Sequence, residues 1–68
     1  MAIVKKVKEI VELSKDVRVL IIEYFKGCYE IRVQIRPFGE WRTDWVIIAR
    51  SEMEVYEIIE YRVKPKYL

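Results

Sequence analysis

The chain has 68 residues, 13 of them lysine or arginine and 11 aspartate or glutamate, for a formal net charge of +2. This length fits one domain, residues 1–68, whose core alone supplies about 3–5 kcal/mol of net stability. Histidine is absent and Cys28 is the one thiol, which excludes an internal disulfide and a zinc site of the usual Cys/His kind. We therefore expect dense apolar packing or self-association to stabilise the fold.

Composition also bears on the compartment. Asparagine is absent and glutamine occurs once, while Glu, Lys and Arg are common, which is a thermophile-like composition. Lys5, Lys6 and Lys8 interrupt any signal-peptide core, and the longest apolar run, residues 19–22, is too short to span a bilayer. A lone thiol fits a reducing compartment. The sequence thus predicts a cytoplasmic protein with no membrane partner and no cofactor.

The first predicted element is an amphipathic helix over roughly residues 2–15. Its apolar stripe consists of Ile3, Val7, Ile10 and Val11. Lys5 and Lys8 lie on the opposite side, each four residues before a glutamate, as in solvated helix faces. These lysines either contact phosphate groups or only keep the face soluble, and their spacing favours solubility.

Three strands are predicted next, because β-branched and aromatic residues dominate there. They cover residues 17–25, 29–36 and 40–49. The segments Phe25-Lys26-Gly27 and Pro37-Phe38-Gly39 each suit a three-residue hairpin loop with glycine in the left-handed position. In the first hairpin the expected pairs are Val17–Ile35, Val19–Val33 and Ile21–Ile31. In the second they are Ile35–Trp41, Val33–Thr43, Ile31–Trp45, Tyr29–Ile47, Arg36–Glu40 and Arg32–Asp44.

That second register turns Trp41 and Trp45 inward, as core residues. On an open sheet face the two rings would instead form a stacking platform for nucleic-acid bases. The opposite charges that meet across the same register favour the core position.

A capping box at Ser51 and Glu54 predicts a second helix, which runs from Glu52 to Val63. Its inner stripe consists of Val55, Ile58, Ile59 and Val63, with Tyr56 beside them. Pro65 is expected to end it, leaving residues 63–68 as a short basic tail.

The predicted order is therefore α-β-β-β-α, an α+β single domain with a three-stranded antiparallel meander and both helices on one face. That order resembles the double-stranded-RNA-binding domain and, more loosely, a small ribosomal protein family and the Alu-domain proteins of the signal recognition particle. The resemblance implies an RNA partner. The first family's Gly-Pro-x-His loop falls on Lys26-Gly27-Cys28, and its lysine cluster falls on the acidic segment 51–54. No binding residue carries over, and we expect no micromolar binding of duplex RNA at physiological salt.

The second sheet face is left open in this arrangement and is more apolar on its flanks than at its centre. Contiguous exposed aliphatic side chains usually mark a contact surface. The sequence thus predicts a non-enzymatic interaction module that acts as a homodimer or docks on a protein partner. The interface residues are Leu20, Ile22, Tyr24, Arg32, Arg36, Val46 and Ile48. Residues 17–25 are also predicted to form an apolar edge strand, which favours pairing by edge or by face. Alternatively, Tyr67 and Leu68 of the tail fold back over this face.

The alternative function is an accessory protein that binds RNA or DNA. Its contacts are the basic ends, Lys5, Lys8, Arg62, Lys64 and Lys66, with Arg32 and Arg36. Nucleic-acid affinity falls steeply with salt, whereas an apolar protein contact does not, so salt dependence separates the two functions. An enzyme is not expected, because the chain has no histidine base, no partner for Cys28 and no Gly-rich phosphate loop.

Overall fold

Four antiparallel strands and a C-terminal helix make up residues 5–68, which are the residues that this computed structural model describes. The strands are β1 (Lys6–Ser14), β2 (Val17–Phe25), β3 (Cys28–Ile35) and β4 (Arg42–Ala49), and each pairs with the next along the chain. The helix comprises α1 (Glu52–Ile58), a π-helical turn (Ile59–Val63) and α2 (Lys64–Tyr67). The protein is thus a small α+β domain. The predicted order α-β-β-β-α is wrong, because a four-stranded meander precedes one helix.

The segment predicted as an N-terminal helix is strand β1. Two bulges interrupt its pairing with β2, the first at Lys8 and the second at Leu13. Because of the first bulge, Val7 and Ile10 lie three residues apart and still share one face of the sheet. This spacing imitates the period of a helix, which explains the wrong prediction. Ile3, the first member of the predicted stripe, lies outside the described residues.

The β2–β3 hairpin has the predicted register. Val19 lies opposite Val33 and Ile21 lies opposite Ile31. Gly27 adopts a φ of 83°, the left-handed conformation that side chains rarely tolerate. The glycine turn and the apolar pairing therefore confirm this part of the sequence interpretation.

The β3–β4 hairpin departs from the prediction. Gly39 has the expected positive φ of 87°, but the connection is longer than a three-residue loop. A bulge at Asp44 then places Trp45 opposite Val33 rather than opposite Ile31. The other expected pairs of this hairpin do not form either: Ile35–Trp41, Val33–Thr43, Tyr29–Ile47, Arg36–Glu40 and Arg32–Asp44.

The hydrophobic core lies between the helix and one face of the sheet. The sheet contributes Val19, Ile21, Tyr29, Ile31, Val33 and Ala49, and the helix contributes Val55, Ile58, Ile59 and Val63. The predicted inner stripe of the helix is therefore confirmed. So is its capping residue, since the Glu54 N–H donates to Ser51 Oγ at 3.1 Å.

The helix continues past its predicted end. Pro65 has no N–H to donate, and its ring clashes with the carbonyl four residues earlier in a regular α-helix. Directly before it, Ile59–Val63 widen into the π-helical turn, in which the Lys64 N–H bonds to the Ile59 carbonyl. The wider turn relieves the clash, so that helical structure resumes and reaches Tyr67. Most of the predicted basic tail is therefore helical.

The two tryptophans occupy different environments. Trp45 is half-buried and packs against the core, as predicted. Trp41 precedes β4 and is half-buried outside the core, so its predicted core position is wrong.

Replacing each tryptophan by alanine should separate the two environments. Trp45→Ala removes packing from the core and should cost up to about 3–5 kcal/mol of unfolding free energy, the range for large aromatic residues. Trp41→Ala, the matched control, should cost clearly less. Urea denaturation followed by circular dichroism measures both, and equal losses would contradict the assignment.

Candidate binding surface

The sheet face opposite the helix has no helix or strand of residues 5–68 packed on it. We call it the open sheet face. The strand register places on it Val7, Ile10, Glu12, Arg18, Leu20, Ile22, Tyr24, Glu30, Arg32, Gln34, Thr43, Val46 and Ile48. Six of the seven predicted interface residues share this face. The seventh, Arg36, follows the end of β3.

These predicted residues differ in accessibility. Val46 and Ile48 on β4 are exposed, whereas Leu20 is half-buried and Ile22 is only 2% exposed. Ile22 is therefore covered by its own domain and is not available to a partner. The exposed aliphatic surface includes instead two β1 residues, Val7 and Ile10, which the helix prediction had assigned elsewhere. Their β-branched side chains were the sequence signal for a strand.

The polar side chains at the centre of the open sheet face hydrogen-bond to one another. Glu30 is 4% exposed, and its carboxylate accepts from the Tyr24 hydroxyl and, at 2.7 Å, from Arg32 Nε. The hydrogen bond to Glu30 raises the pKa of Tyr24 above its ordinary value. Beside this group, Arg18 Nε donates to Gln34 Oε1 at 2.8 Å. Polar groups that satisfy one another can be covered by a partner at low cost.

Two guanidinium groups lie against the indole ring of Trp41. The Cζ atoms of Arg18 and Arg36 are 4.2 Å and 4.6 Å from the ring centroid, within cation–π range. Arg36 is also held by the Lys15 carbonyl at 2.8 Å and lies 3.7 Å from the Asp16 carboxylate. Contact with the two arginines therefore stabilises Trp41 outside the core, where the sequence had not placed it. The cluster extends the open sheet face at the end of β3.

The predicted nucleic-acid contacts do not form one patch. Lys5 Nζ is 5.5 Å from the ring centroid of Tyr24, on the open sheet face. Lys8 contacts the ring of Tyr29 on the helix side and lies 3.6 Å from Glu52. The other three lie at the C-terminal end of the helix, where Lys64 pairs with Glu60, and Arg62 and Lys66 lie over the ring of Trp45.

The C-terminal turn of the helix contacts β4 through Tyr67, on the helix side of the sheet. The ring of Tyr67 packs against the core, and its hydroxyl donates to Asp44 Oδ2 at 2.5 Å. Burial, with this hydrogen bond, raises the pKa of Tyr67 to about 12. Tyr67 therefore does not cover the open sheet face, and Leu68 beyond it is exposed.

Neither metal chemistry nor a membrane span is evident in residues 5–68. No group of three or more Cys, Asp or Glu side chains there is placed to hold a metal ion. No helix in the same range is long and apolar enough to cross a bilayer. Cys28 is half-buried at the start of β3.

Comparison with known proteins identifies no family. No protein-family model matches the chain, and neither a curated protein nor a solved structure is significantly similar to it. The resemblance to the double-stranded-RNA-binding domain depended on the order α-β-β-β-α, and residues 5–68 have a different order. The open sheet face must therefore be interpreted from its own geometry.

The Tyr67–Asp44 contact predicts a loss of stability at alkaline pH. A pKa raised from 10.0 to about 12 means that the folded protein holds the proton more tightly than the unfolded chain does. The Tyr67–Asp44 contact contributes its full share of the unfolding free energy below about pH 10, and this contribution is lost as the pH rises towards 12. Tyr67→Phe should lower stability at pH 8 and show a smaller decline by pH 11.5 in urea denaturation. Tyr61→Phe, on the exposed side of the helix, is the matched control. Equal declines for all three proteins would contradict the assignment.

Proposed function

We propose that the protein is a non-enzymatic interaction module whose contact surface is the open sheet face. It acts as a homodimer or docks on a protein partner. The observation that carries the proposal is a set of exposed aliphatic side chains on both flanks of that face. They are Val7 and Ile10 on β1 and Val46 and Ile48 on β4.

Several features support a contact by face rather than by edge. The predicted apolar edge strand, β2, is an interior strand, so the argument for edge pairing no longer holds. Both outer strands contain bulges, two in β1 and one in β4, and β1 also has lysine and glutamate side chains; these features discourage pairing with another chain. The polar groups at the centre of the open sheet face already hydrogen-bond to one another, so a partner can cover them at low cost, and the aliphatic flanks supply apolar area. Arg32, held by Glu30, supplies specificity at that centre.

A homodimer through the open sheet face would be a two-fold contact. A standard interface buries about 800 Å² per partner. The chain exposes 4949 Å² in total, so such an interface would cover about one sixth of its surface. A two-fold axis parallel to the face and just above it places the β1 and β4 flanks of one copy against those of the other, and such contacts are self-complementary. A domain this small gains stability from the added burial.

Sedimentation equilibrium at micromolar concentration tests the self-association. Ile48→Lys places a charge in the apolar flank and should shift the protein towards the monomer by at least tenfold in dissociation constant. Phe38→Lys, at the 87% exposed tip of the β3–β4 connection, is the matched control and should leave the equilibrium unchanged. A parent protein that is monomeric over this range excludes the homodimer and leaves docking on another protein.

A second candidate function, binding of single-stranded nucleic acid, is supported by the Arg18–Trp41–Arg36 cluster. Proteins that bind single strands combine aromatic stacking surfaces with basic side chains. The helix glutamates, which argued against RNA binding, lie on the other side of the sheet from the open face. They therefore do not oppose phosphate groups there. Lys5, beside Tyr24, adds a further cation to this side.

Fluorescence anisotropy with a labelled single-stranded oligonucleotide tests this candidate. Trp41→Ala should weaken binding by the about 1–3 kcal/mol that one stacked base contributes. Arg36→Gln should also lower the dependence of affinity on salt, because one fewer counterion is released. Arg42→Gln, an exposed arginine on β4, is the matched control. Equal affinity of all variants, or no binding at low salt, would exclude this function.

A further inference from the structure

Two rows of side chains cross the open sheet face at right angles to the strands. Each row contains one residue from each strand, and its members are paired in the strand register. The row that we call the acidic row consists of Val7, Ile22, Glu30 and Ile48. The row that we call the basic row consists of Ile10, Leu20, Arg32 and Val46. Both rows are therefore aliphatic on β1, β2 and β4, and they differ in charge on β3.

The two rows form a patch that is apolar on both flanks and charged in the middle. The aliphatic residues of β1 and β4 are between 45% and 54% exposed, whereas Glu30 is 4% exposed. Neighbouring rows are about 7 Å apart along the strands, and β1 and β4 are about 14 Å apart across the sheet. A partner that covers the patch has to place aliphatic groups over both flanks and opposite charges over Glu30 and Arg32.

A second copy of the chain meets these requirements about one particular two-fold axis. The axis runs across the strands, parallel to the face, between the acidic row and the basic row. Rotation about it lays the acidic row of each copy over the basic row of the other, and each strand faces the same strand of its partner. Aliphatic residues then meet aliphatic residues on both flanks, while Arg32 lies over the partner's Glu30.

A two-fold axis along the strands does not satisfy the charges. Midway between β2 and β3, it lays the two charged residues of β3 over the aliphatic residues of the partner's β2. Moved onto β3, it lays each charge over the same charge of the other copy. Charges that are covered without an opposite partner lose hydration and gain no attraction. The axis across the strands is therefore the favoured one.

Covering the charged centre adds little cost in this arrangement. Glu30 is already out of water in the folded chain, and Arg32 Nη2 lies 2.7 Å from its carboxylate. The Arg32 side chain is 29% exposed, so most of it is covered before any partner arrives. Two ion pairs stacked in opposite directions attract each other, and each pair keeps both of its members.

Charges beyond the two rows are also complementary under this rotation. Lys5 lies just before β1 on the side of the acidic row, and its ammonium group is over the Tyr24 ring. Glu12 follows the basic row on β1. The rotation exchanges these two ends of the strand, so that Lys5 of each copy is on the side of Glu12 of the other. Such complementarity favours one orientation over its alternatives.

We propose that the open sheet face binds a second copy of the chain about a two-fold axis that crosses the strands between the acidic row and the basic row. This inference rests on the proposed function and specifies its partner and orientation. Two sheets packed face to face keep their strands within about 30° of each other, and this axis allows that alignment. A second copy carries the reversed order of charges by symmetry, whereas an unrelated protein would have to match it separately.

Cross-linking of single-cysteine variants tests the orientation. Every variant also carries Cys28→Ser, which removes the half-buried native thiol. Val7→Cys and Ile48→Cys each place one thiol on one flank of the patch. With the sheets about 10 Å apart, two like positions are about 12 Å apart and a mixed pair of positions is about 19 Å apart. An equimolar mixture is treated with a thiol-specific cross-linker that spans only the shorter distance, and mass spectrometry distinguishes the products. The like pairs should exceed the mixed pair at least tenfold.

The other outcomes separate this inference from the proposed function. A mixed pair that predominates overturns the orientation but keeps the homodimer, because an axis along the strands brings β1 of one copy over β4 of the other. Phe38→Cys, at the exposed tip of the β3–β4 connection, is the matched control, and a yield equal to that of the flank positions also overturns the proposal. A parent protein that is monomeric in sedimentation equilibrium overturns the second copy as partner and leaves docking on another protein. A dimer that Ile48→Lys does not weaken, and whose flank thiols do not cross-link, overturns the proposed function as well.

Discussion

The packing of one helix against a four-stranded sheet governs the surface of this protein. The helix covers the face that contains Val19, Ile31 and Val33, and residues 5–68 contain no second helix for the other face. Since no helix of the described residues packs on that other face, most of its side chains are open to water or to a partner. Its composition fits this dual requirement, since a satisfied polar centre tolerates water and exposed aliphatic flanks favour a partner. The same helix is amphipathic enough to fill the core on one side and still present Met53 and Tyr61 on the other.

The polar centre shows how a small sheet can keep a carboxylate out of water. Glu30 is almost fully buried, yet its two oxygens receive hydrogen bonds from Tyr24 and Arg32. Removing a single partner from such a group costs more than the bond itself contributes, because the carboxylate is left unpaired. The network therefore fixes Arg32 and Tyr24 in place, which pre-organises the middle of the open sheet face. If the proposed contact forms, these side chains are already ordered and less entropy is lost on binding.

Local signals predicted the parts of the fold that depend on neighbouring residues. The glycine turn at Gly27, the β2–β3 register and the cap at Ser51 follow from short-range chemistry and are confirmed. The bulges at Lys8 and Asp44 could not be predicted, because each depends on contacts made across the sheet. Because of the first bulge, the strand has the residue spacing of a helix. Val7 and Ile10 were therefore not predicted to belong to the candidate surface. The second shifted the register of β4, so that Trp41 lies outside the core. Its ring contacts Arg18 and Arg36 instead of forming the hairpin pair with Ile35 that the sequence predicted.

The order of the elements also bears on the rate of folding. Every strand pairs with its neighbour in the chain, so the sheet closes only short connections as it forms. Proteins whose contacts join residues close in sequence fold faster than proteins dominated by distant pairings. A meander of this kind is therefore expected to fold at the fast end of the range for antiparallel sheets.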